Sequence, residues 1–291
     1  MEDFLNYLAY EKRFSEHTIK NYRHDLEDFT KFLGHKKTEK AELNDIRNYL
    51  RMLYDKKYST ATISRKLSAL KSYFKYLEAL EKIEVNPMIL ISNPKKAKKL
   101  PNYLNYNDLE RLLKAPDLTT KEGKMAALIL EMLYSTGIRV SELVNIKLKD
   151  INFEEHKILI LGKGHKERYV YYGSACQQLL ELYLKENLTS AYLLHNKHNN
   201  QLNPRMVRMI VEKYTKVAGL DVHVTPHTLR HTYATHMLNE GADLKSVGDL
   251  LGHENLSTTQ IYTHVSNERL RAVYLACHPR AKNVKKCQDD E

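Results

Sequence analysis

Through residues 1–84 the apolar positions recur at helical spacing, with no strand-like alternation. FLNYLAYEKR predicts a first helix. SEHTIKNYRHDLEDFTKFL predicts a second: it opens on Ser15, a residue suited to an N-cap, and keeps Ile19, Tyr22, Leu26, Phe29, Phe32 and Leu33 on one face. Ala41 to Leu53 and Thr60 to Leu80 repeat the pattern, the latter through Ile63, Leu67, Leu70, Tyr73 and Leu77. Four amphipathic helices with short polar joints predict a small bundle.

The period is lost over VNPMILISNPKKAKKLPNYL, which holds Pro87, Pro94 and Pro101 and the lysines Lys95, Lys96, Lys98 and Lys99. Such a stretch reads as an interdomain linker. Beyond it, NYNDLERLLKA and KMAALILEMLYSTG predict helices, the second ending at Gly137. HKILILGKGHKERYVYYG alternates twice around a Gly-Lys-Gly-His turn and predicts a β-hairpin. The remainder is helical, in pieces bounded by Pro204, Gly219, Pro226 and Gly252. The expected fold class is mainly α. A four-helix N-terminal domain spans 1–84 and a basic linker 85–104. A larger, mostly helical domain with a small hairpin spans 105–278, followed by a flexible tail over 279–291.

Charge changes the picture. The 291 residues carry 46 Lys and Arg against 36 Asp and Glu, a net charge of +10, and a chain so basic usually meets a polyanion, nucleic acid first. The alternative is a merely solvated basic surface. The N-terminus MEDFLNYLAYEKRF lacks the apolar core of a signal peptide, and no apolar run approaches the ~20 residues of a membrane span. Cys176, Cys277 and Cys287 are an odd set without a C-x-x-C pair, which argues for a reducing compartment and against a disulfide framework. The expectation is a cytoplasmic protein with no membrane contact.

Candidate chemistry gathers at element boundaries. In HVTPHTLRHTYATHML, Thr225 suits an N-cap and Pro226 the first helical position, so His227 and Arg230 share the first turn and one face. The free N–H groups and dipole of a helix start suit an anion, and a guanidinium with an imidazole would make a phosphate site with a proton-transfer group beside it. His227 could instead cap or pack. His227 and His231 have the spacing of zinc ligands, but the glutamate of H-E-x-x-H is missing and Arg230 would repel a cation. In YSTGIRVSELVNI, Gly137 ends one helix and Ser141 is expected to cap the next, leaving Arg139 at the junction. Lys163 lies between two glycines of the hairpin turn, near His165, Lys166 and Arg168, a loop suited to DNA contact or simply to solvent. In GADLKSVGDLLGHENLSTTQIYTH, Gly252 is expected to end a helix and leave His253 just past the cap. Ser257 and Gln260 fit a capping box that places Tyr262 in the second turn of a new helix. Tyr262 and His253 could face one anion, or the tyrosine could only pack its ring.

The segments TGIRVSEL, GKGHKER, HTLRHTYATHMLNEGADL and LLGHENLSTTQIYTHVSNERLR resemble the tyrosine recombinases, and closely their Xer subfamily. The resemblance covers nearly the whole chain. It implies a core-binding domain and a catalytic domain closing as a C-shaped clamp on a double-stranded DNA recombination site. It makes Tyr262 the nucleophile, with Arg139 and Arg230 on the non-bridging oxygens of the scissile phosphate and His253 as a further donor. It makes His227 the acid–base partner and Lys163 the acid for the departing 5′-oxygen. It further implies a 3′-phosphotyrosyl intermediate and a Holliday junction. The C-terminal helix VSNERLRAVYLACHPRA would dock into a neighbouring protomer of a homo- or hetero-tetramer, the alternative being a helix folded back on its own domain. A septal DNA translocase is an expected partner. Cofactors are not expected: the chain has no G-x-x-x-x-G-K-[ST] loop and no acidic metal cluster, and a covalent intermediate conserves the bond energy. Phage or transposon integrases share this chemistry, but many carry an arm-binding domain before the core-binding helices, and here the first helix begins within a few residues of Met1. A type IB topoisomerase and a non-catalytic DNA-binding protein are further alternatives. Against the subfamily pattern, KNVKKCQDDE follows HPRA.

Overall fold

The computed structural model describes residues 1–94, 103–162, 166–187, 190–196, 198–252 and 264–281. The chain divides into two compact units, Met1–Lys99 and Leu100–Glu291. The first consists of α1 (Glu2–Tyr10), α2 (Glu16–Leu33), α3 (Leu43–Asp55) and α4 (Thr60–Ala79). The Ser15 and Ser59 hydroxyls accept from the N–H groups of Thr18 and Thr62, which starts α2 and α4 where the sequence suggests. Helix α3 starts at Leu43 rather than Ala41, because Glu42 is extended and its N–H donates to the Asp45 side chain, three residues on, at 2.8 Å.

The apolar faces meet around Phe29, which lies edge-on to Tyr49 at 5.0 Å and to Phe74 at 6.3 Å. Ile46, Ile63, Leu67 and Leu70 are fully buried beside them. An ionic cluster sits at the α2–α4 contact. Lys66 Nζ lies 2.6 Å from Asp28 and 3.3 Å from Asp25, and Arg65 also pairs with Asp25. The segment expected as linker contributes at both ends. Met88 and Ile91 join the core of the first unit and Leu104 that of the second, while Lys95, Lys96, Lys98 and Lys99 lie outside the described residues.

The second unit is organised around α6 (Lys121–Thr136), whose residues Ala126 to Thr136 are all buried. A helix apolar on every side has to be surrounded. Here α5 (Tyr106–Lys114), α7 (Val140–Asn145), α8 (Ser174–Leu184), α9 (Pro204–Val217), α10 (Pro226–Asn239) and the sheet all pack on it. The expected hairpin is present as β2 (Lys157–Leu161) and β3 (Glu167–Tyr171), and the two-residue β1 (Ile151–Asn152) extends it into a three-stranded antiparallel sheet. Register pairs Ile158 with Val170 and Ile160 with Arg168 on the inward face. The other face carries Leu159 and Tyr169 and borders an open hollow of about 570 Å³.

Helices α11 (Leu244–Leu251) and α12 (His264–Cys277) complete the unit. Helix α12 folds back on its own domain, the alternative to exchange with a neighbour, because its inner side chains find partners there. Tyr274 and His278 are 1% and 0% exposed and stack at 4.9 Å, and Arg280 makes two bonds, 3.2 and 2.7 Å, to the buried Glu131 carboxylate. Gly173 is required under this strap, since a Cβ there would lie 1.9 Å from the Arg280 carbonyl oxygen. Among the described residues no helix is long and apolar enough to cross a membrane.

Candidate functional site

Two glycine-ended helices aim at one point. Helix α6 closes at Gly137, φ 61°, and α11 at Gly252, φ 68°, both in the left-handed conformation that glycine adopts without strain. After Gly137 the buried Ile138 turns the chain, and Arg139 follows in extended conformation as the N-cap of α7. The sequence predicts Ser141 for this position, and the structure differs. The physical reason is Glu142, which lies three residues on and accepts from the Arg139 backbone N–H at 2.8 Å and from its Nη1 at 2.8 Å.

Arg230 comes from α10, which starts as the sequence suggests: the Thr225 side chain accepts from the Thr228 N–H, and Pro226 is the first helical residue. His227, in the same turn, is exposed, whereas Arg230 is 6% exposed and reaches inward. Its Nη1 donates to the Gly137 carbonyl at 2.6 Å and its Nη2 to the Leu251 carbonyl at 2.7 Å. The helix is held again two and six residues further on. The Thr232 hydroxyl accepts from the Leu104 N–H at 2.9 Å, and His236 Nε2 lies 3.0 Å from the Leu104 carbonyl. Because Nε2 faces a carbonyl it carries the proton, so Nδ1 accepts from the Tyr134 hydroxyl at 3.0 Å. Burial lowers the His236 pKa and keeps the ring neutral, as that tautomer requires.

The third arginine is Arg168. The sequence groups it with His165 and Lys166 as a DNA-facing cation, but of the two described cations Lys166 is exposed and Arg168 is not. Arg168 turns inward from β3 with its side chain 15% exposed. It forks the Glu142 carboxylate through Nη1 at 3.0 Å and Nη2 at 2.8 Å, and its Nε lies 3.3 Å from the Leu250 carbonyl. Arg139 Nη2 donates to the Gly252 carbonyl at 3.1 Å. Three successive carbonyls at the end of α11, those of residues 250, 251 and 252, thus accept from Arg168, Arg230 and Arg139 in turn. These are the groups a helix end leaves without partners, and they carry its negative dipole end.

Three guanidinium groups gather around one carboxylate, which bonds Arg139 and Arg168 but not Arg230, so the cluster carries +3 − 1 = +2. Burial, then the neighbouring Arg139, pull Arg230 down to about 10, which leaves it protonated at neutral pH. Burial pushes the Glu142 carboxyl up, but the bonds and charge of Arg168, with those of Arg139, outweigh it and hold the group ionised. Arg139 and Arg230 each use two of their five N–H groups in these bonds, so their remaining donors suit a tetrahedral oxyanion. Tyr262, His253, Lys163 and His165 lie outside the described residues. The cluster nevertheless borders them in sequence, since Gly252 precedes His253 and Gly162 precedes Lys163.

The phage integrase family matches residues 102–269, and the phage integrase N-terminal SAM-like domain matches residues 1–81. The chain is 44% identical to a tyrosine recombinase XerC of Oceanobacillus iheyensis, over 98% of this chain and 97% of that protein. It is 45% identical to a tyrosine recombinase XerC of Staphylococcus carnosus, over 98% of each. Among solved structures, a XerH site-specific recombinase bound to a palindromic difH substrate, in a post-cleavage complex, has a TM-score of 0.71 and 27% identity, covering 88% of this chain and 79% of that one. A lambda integrase tetramer bound to a Holliday junction shares the fold, with a TM-score of 0.71 at 19% identity over 90% of this chain and 79% of that one. Matched in both its domains and nearly end to end by such relatives, the chain belongs to the phage integrase family and is a tyrosine site-specific recombinase of the Xer type.

Proposed function

We propose that Tyr262 attacks a DNA phosphodiester in a site held by Arg139, Arg230 and His253. The phenol oxygen forms a bond to phosphorus as the bond to the 5′-oxygen breaks, and Lys163 gives that oxygen its proton. A 3′-phosphotyrosyl bond results. Attack by the 5′-hydroxyl of the exchanged strand reverses the step and frees the tyrosine. His227 takes the phenol proton and returns it. A free tyrosine has a pKa near ~10, so attack at neutral pH needs both that base and a cationic surrounding. Phosphoryl transfer asks mainly for positioning and for positive charge at the equatorial oxygens, which two buried-edge arginines supply without a metal ion. ATP is not needed, because the phosphotyrosyl bond conserves the energy of the one broken.

The observation that carries this reading is the convergence of Arg139 and Arg230 on the last carbonyls of α11, with spare donors and a surplus of positive charge, one residue before His253. At the level of the assembly, the chain acts as a tetramer on two DNA sites through a Holliday junction, with the place of α12 on its own domain taken by a neighbour's. Lys95, Lys96, Lys98, Lys99, His165 and Lys166 contribute to holding the duplex. Resolution of chromosome or plasmid dimers in the cytoplasm, at the nucleoid and under a septal DNA translocase, is the task that fits the Xer type, and integration of a mobile element is the second reading. The test is a nicked suicide duplex carrying the candidate site. A covalent protein–DNA adduct should form in EDTA without ATP and disappear in Tyr262→Phe.

A further inference from the structure

The second role in the arginine cluster belongs to Arg168. It lies against the residue that precedes each of the two reactive segments. On one side, a Cβ at Gly252 would sit 3.2 Å from Arg168 Cδ and Nε and 3.3 Å from Cζ, so the Arg168 side chain covers the glycine that precedes His253. On the other, a Cβ at Gly162 would sit 3.5 Å from Arg168 Nη1, and the Gly162 N–H donates to the Lys166 carbonyl at 2.8 Å, closing the base of the turn that holds Lys163. Between these contacts the guanidinium forks Glu142, whose other bonds go to Arg139. Strand alternation keeps the side chain inward, opposite Ile160 and two residues from the buried Val170.

We infer that Arg168 is a positioning residue for strand cleavage: it fastens the residue before Lys163 and the residue before His253 to one carboxylate, so that both segments set out from a single guanidinium. This rests on the roles of Lys163 and Tyr262 proposed above. A lysine cannot replace it, because a point charge cannot fork Glu142 and also reach the Leu250 carbonyl. Neither does it hold DNA, since three of its five donors are spent inside the protein.

The test measures DNA affinity by mobility shift and single-turnover cleavage of the suicide duplex, with the full chain carrying Arg168→Ala or Arg168→Lys. Arg168→Ala should leave affinity within about threefold and slow cleavage by roughly 100-fold, the cost of displacing reacting groups by about 1 Å. Arg168→Lys should stay within about tenfold of the alanine variant. A duplex with sulfur as the 5′ leaving atom, which needs no proton from Lys163, should restore only part of the loss. Parallel loss of binding and cleavage, recovery in Arg168→Lys, or full or zero rescue by sulfur would each overturn the inference. If Arg168→Ala does not fold, Arg168→Lys decides: folded and slow supports it, folded and fast overturns it. An adduct that survives Tyr262→Phe would instead sink the underlying reading, whatever Arg168 does.

Discussion

In the first unit, Asp25 and Asp28 face Arg65 and Lys66, two carboxylates for two cations. In the second, Arg139 and Arg168 share the single carboxylate of Glu142, and Arg230 beside them donates only to main-chain carbonyls. Each cluster has a buried centre and a half-exposed rim, Arg65 at 41% and Asp28 at 49% in the first and Arg139 at 39% in the second, but the first is closed in charge. Lys66 and Asp25 are 4% and 1% exposed and neutralise each other, so the cluster can only hold α2 to α4. The second leaves a surplus of +2, offset by the carbonyl ends of α6 and α11 rather than by acids. Helix carbonyls are weaker partners than carboxylates and do not cancel the charge. A buried ion pair is thereby a fastening, and a buried cation excess stabilised by dipoles is a site awaiting an anion.

That contrast can be broken in graded ways. Arg230→Lys removes one of the forked donors, and single-turnover cleavage should fall by roughly 10²–10³-fold, as expected for losing one charge-stabilising donor, with the melting temperature much less affected. Lys66→Met should do the reverse. It leaves the buried Asp25 to Arg65 alone and Asp28 to water, and should cost about 2–3 kcal/mol in urea unfolding, while the folded fraction cleaves at the parental rate. An equal effect of both variants on cleavage would erase the distinction.

The strap of α12 has its own signature in pH. Burial drives His278 down to about 3 from the ordinary 6.5. The native ring then stays neutral while the unfolded chain binds a proton. Its contribution to stability is whole above pH ~6.5 and falls with acid, by about 2 kcal/mol between pH 7 and pH 5. Thermal scans at the two pH values should show that difference reduced in His278→Phe, with the lesser part due to His236 remaining. Smallest is Gly252→Ala, which asks an alanine to adopt φ 68° beside Arg168 and should cost about 1–2 kcal/mol by chemical denaturation.

Local signals carried most of the fold and much of the site. Gly137 and Gly252 mark their helix ends, and Thr225 with Pro226 marks the start that carries Arg230, because capping is decided by residues three or four apart. The start of α7 failed the same logic. Ser141 is the better cap by type, but Glu142 at the third position selects Arg139, and an R-x-x-E spacing was there to be read. Arg168 was legible too, had the hairpin's parity been followed: it shares a face with Val170 and Tyr172, not with the exposed Glu167. Out of reach of any local rule was the grip of Thr232 and His236 on Leu104, more than 100 residues away in the chain, and the pairing of Arg280 with Glu131. Both join residues far apart in the chain, Leu104 to α10 and Arg280 to α6, which no short window of sequence encodes.

The most direct measurement is to trap the protein on a suicide duplex, digest the adduct and map the nucleotide-bearing peptide by mass spectrometry. A single modified residue, Tyr262, joined to a 3′-phosphate, is the expected result. A nucleotide on any other residue, or an unchanged adduct yield in Tyr262→Phe, would contradict it.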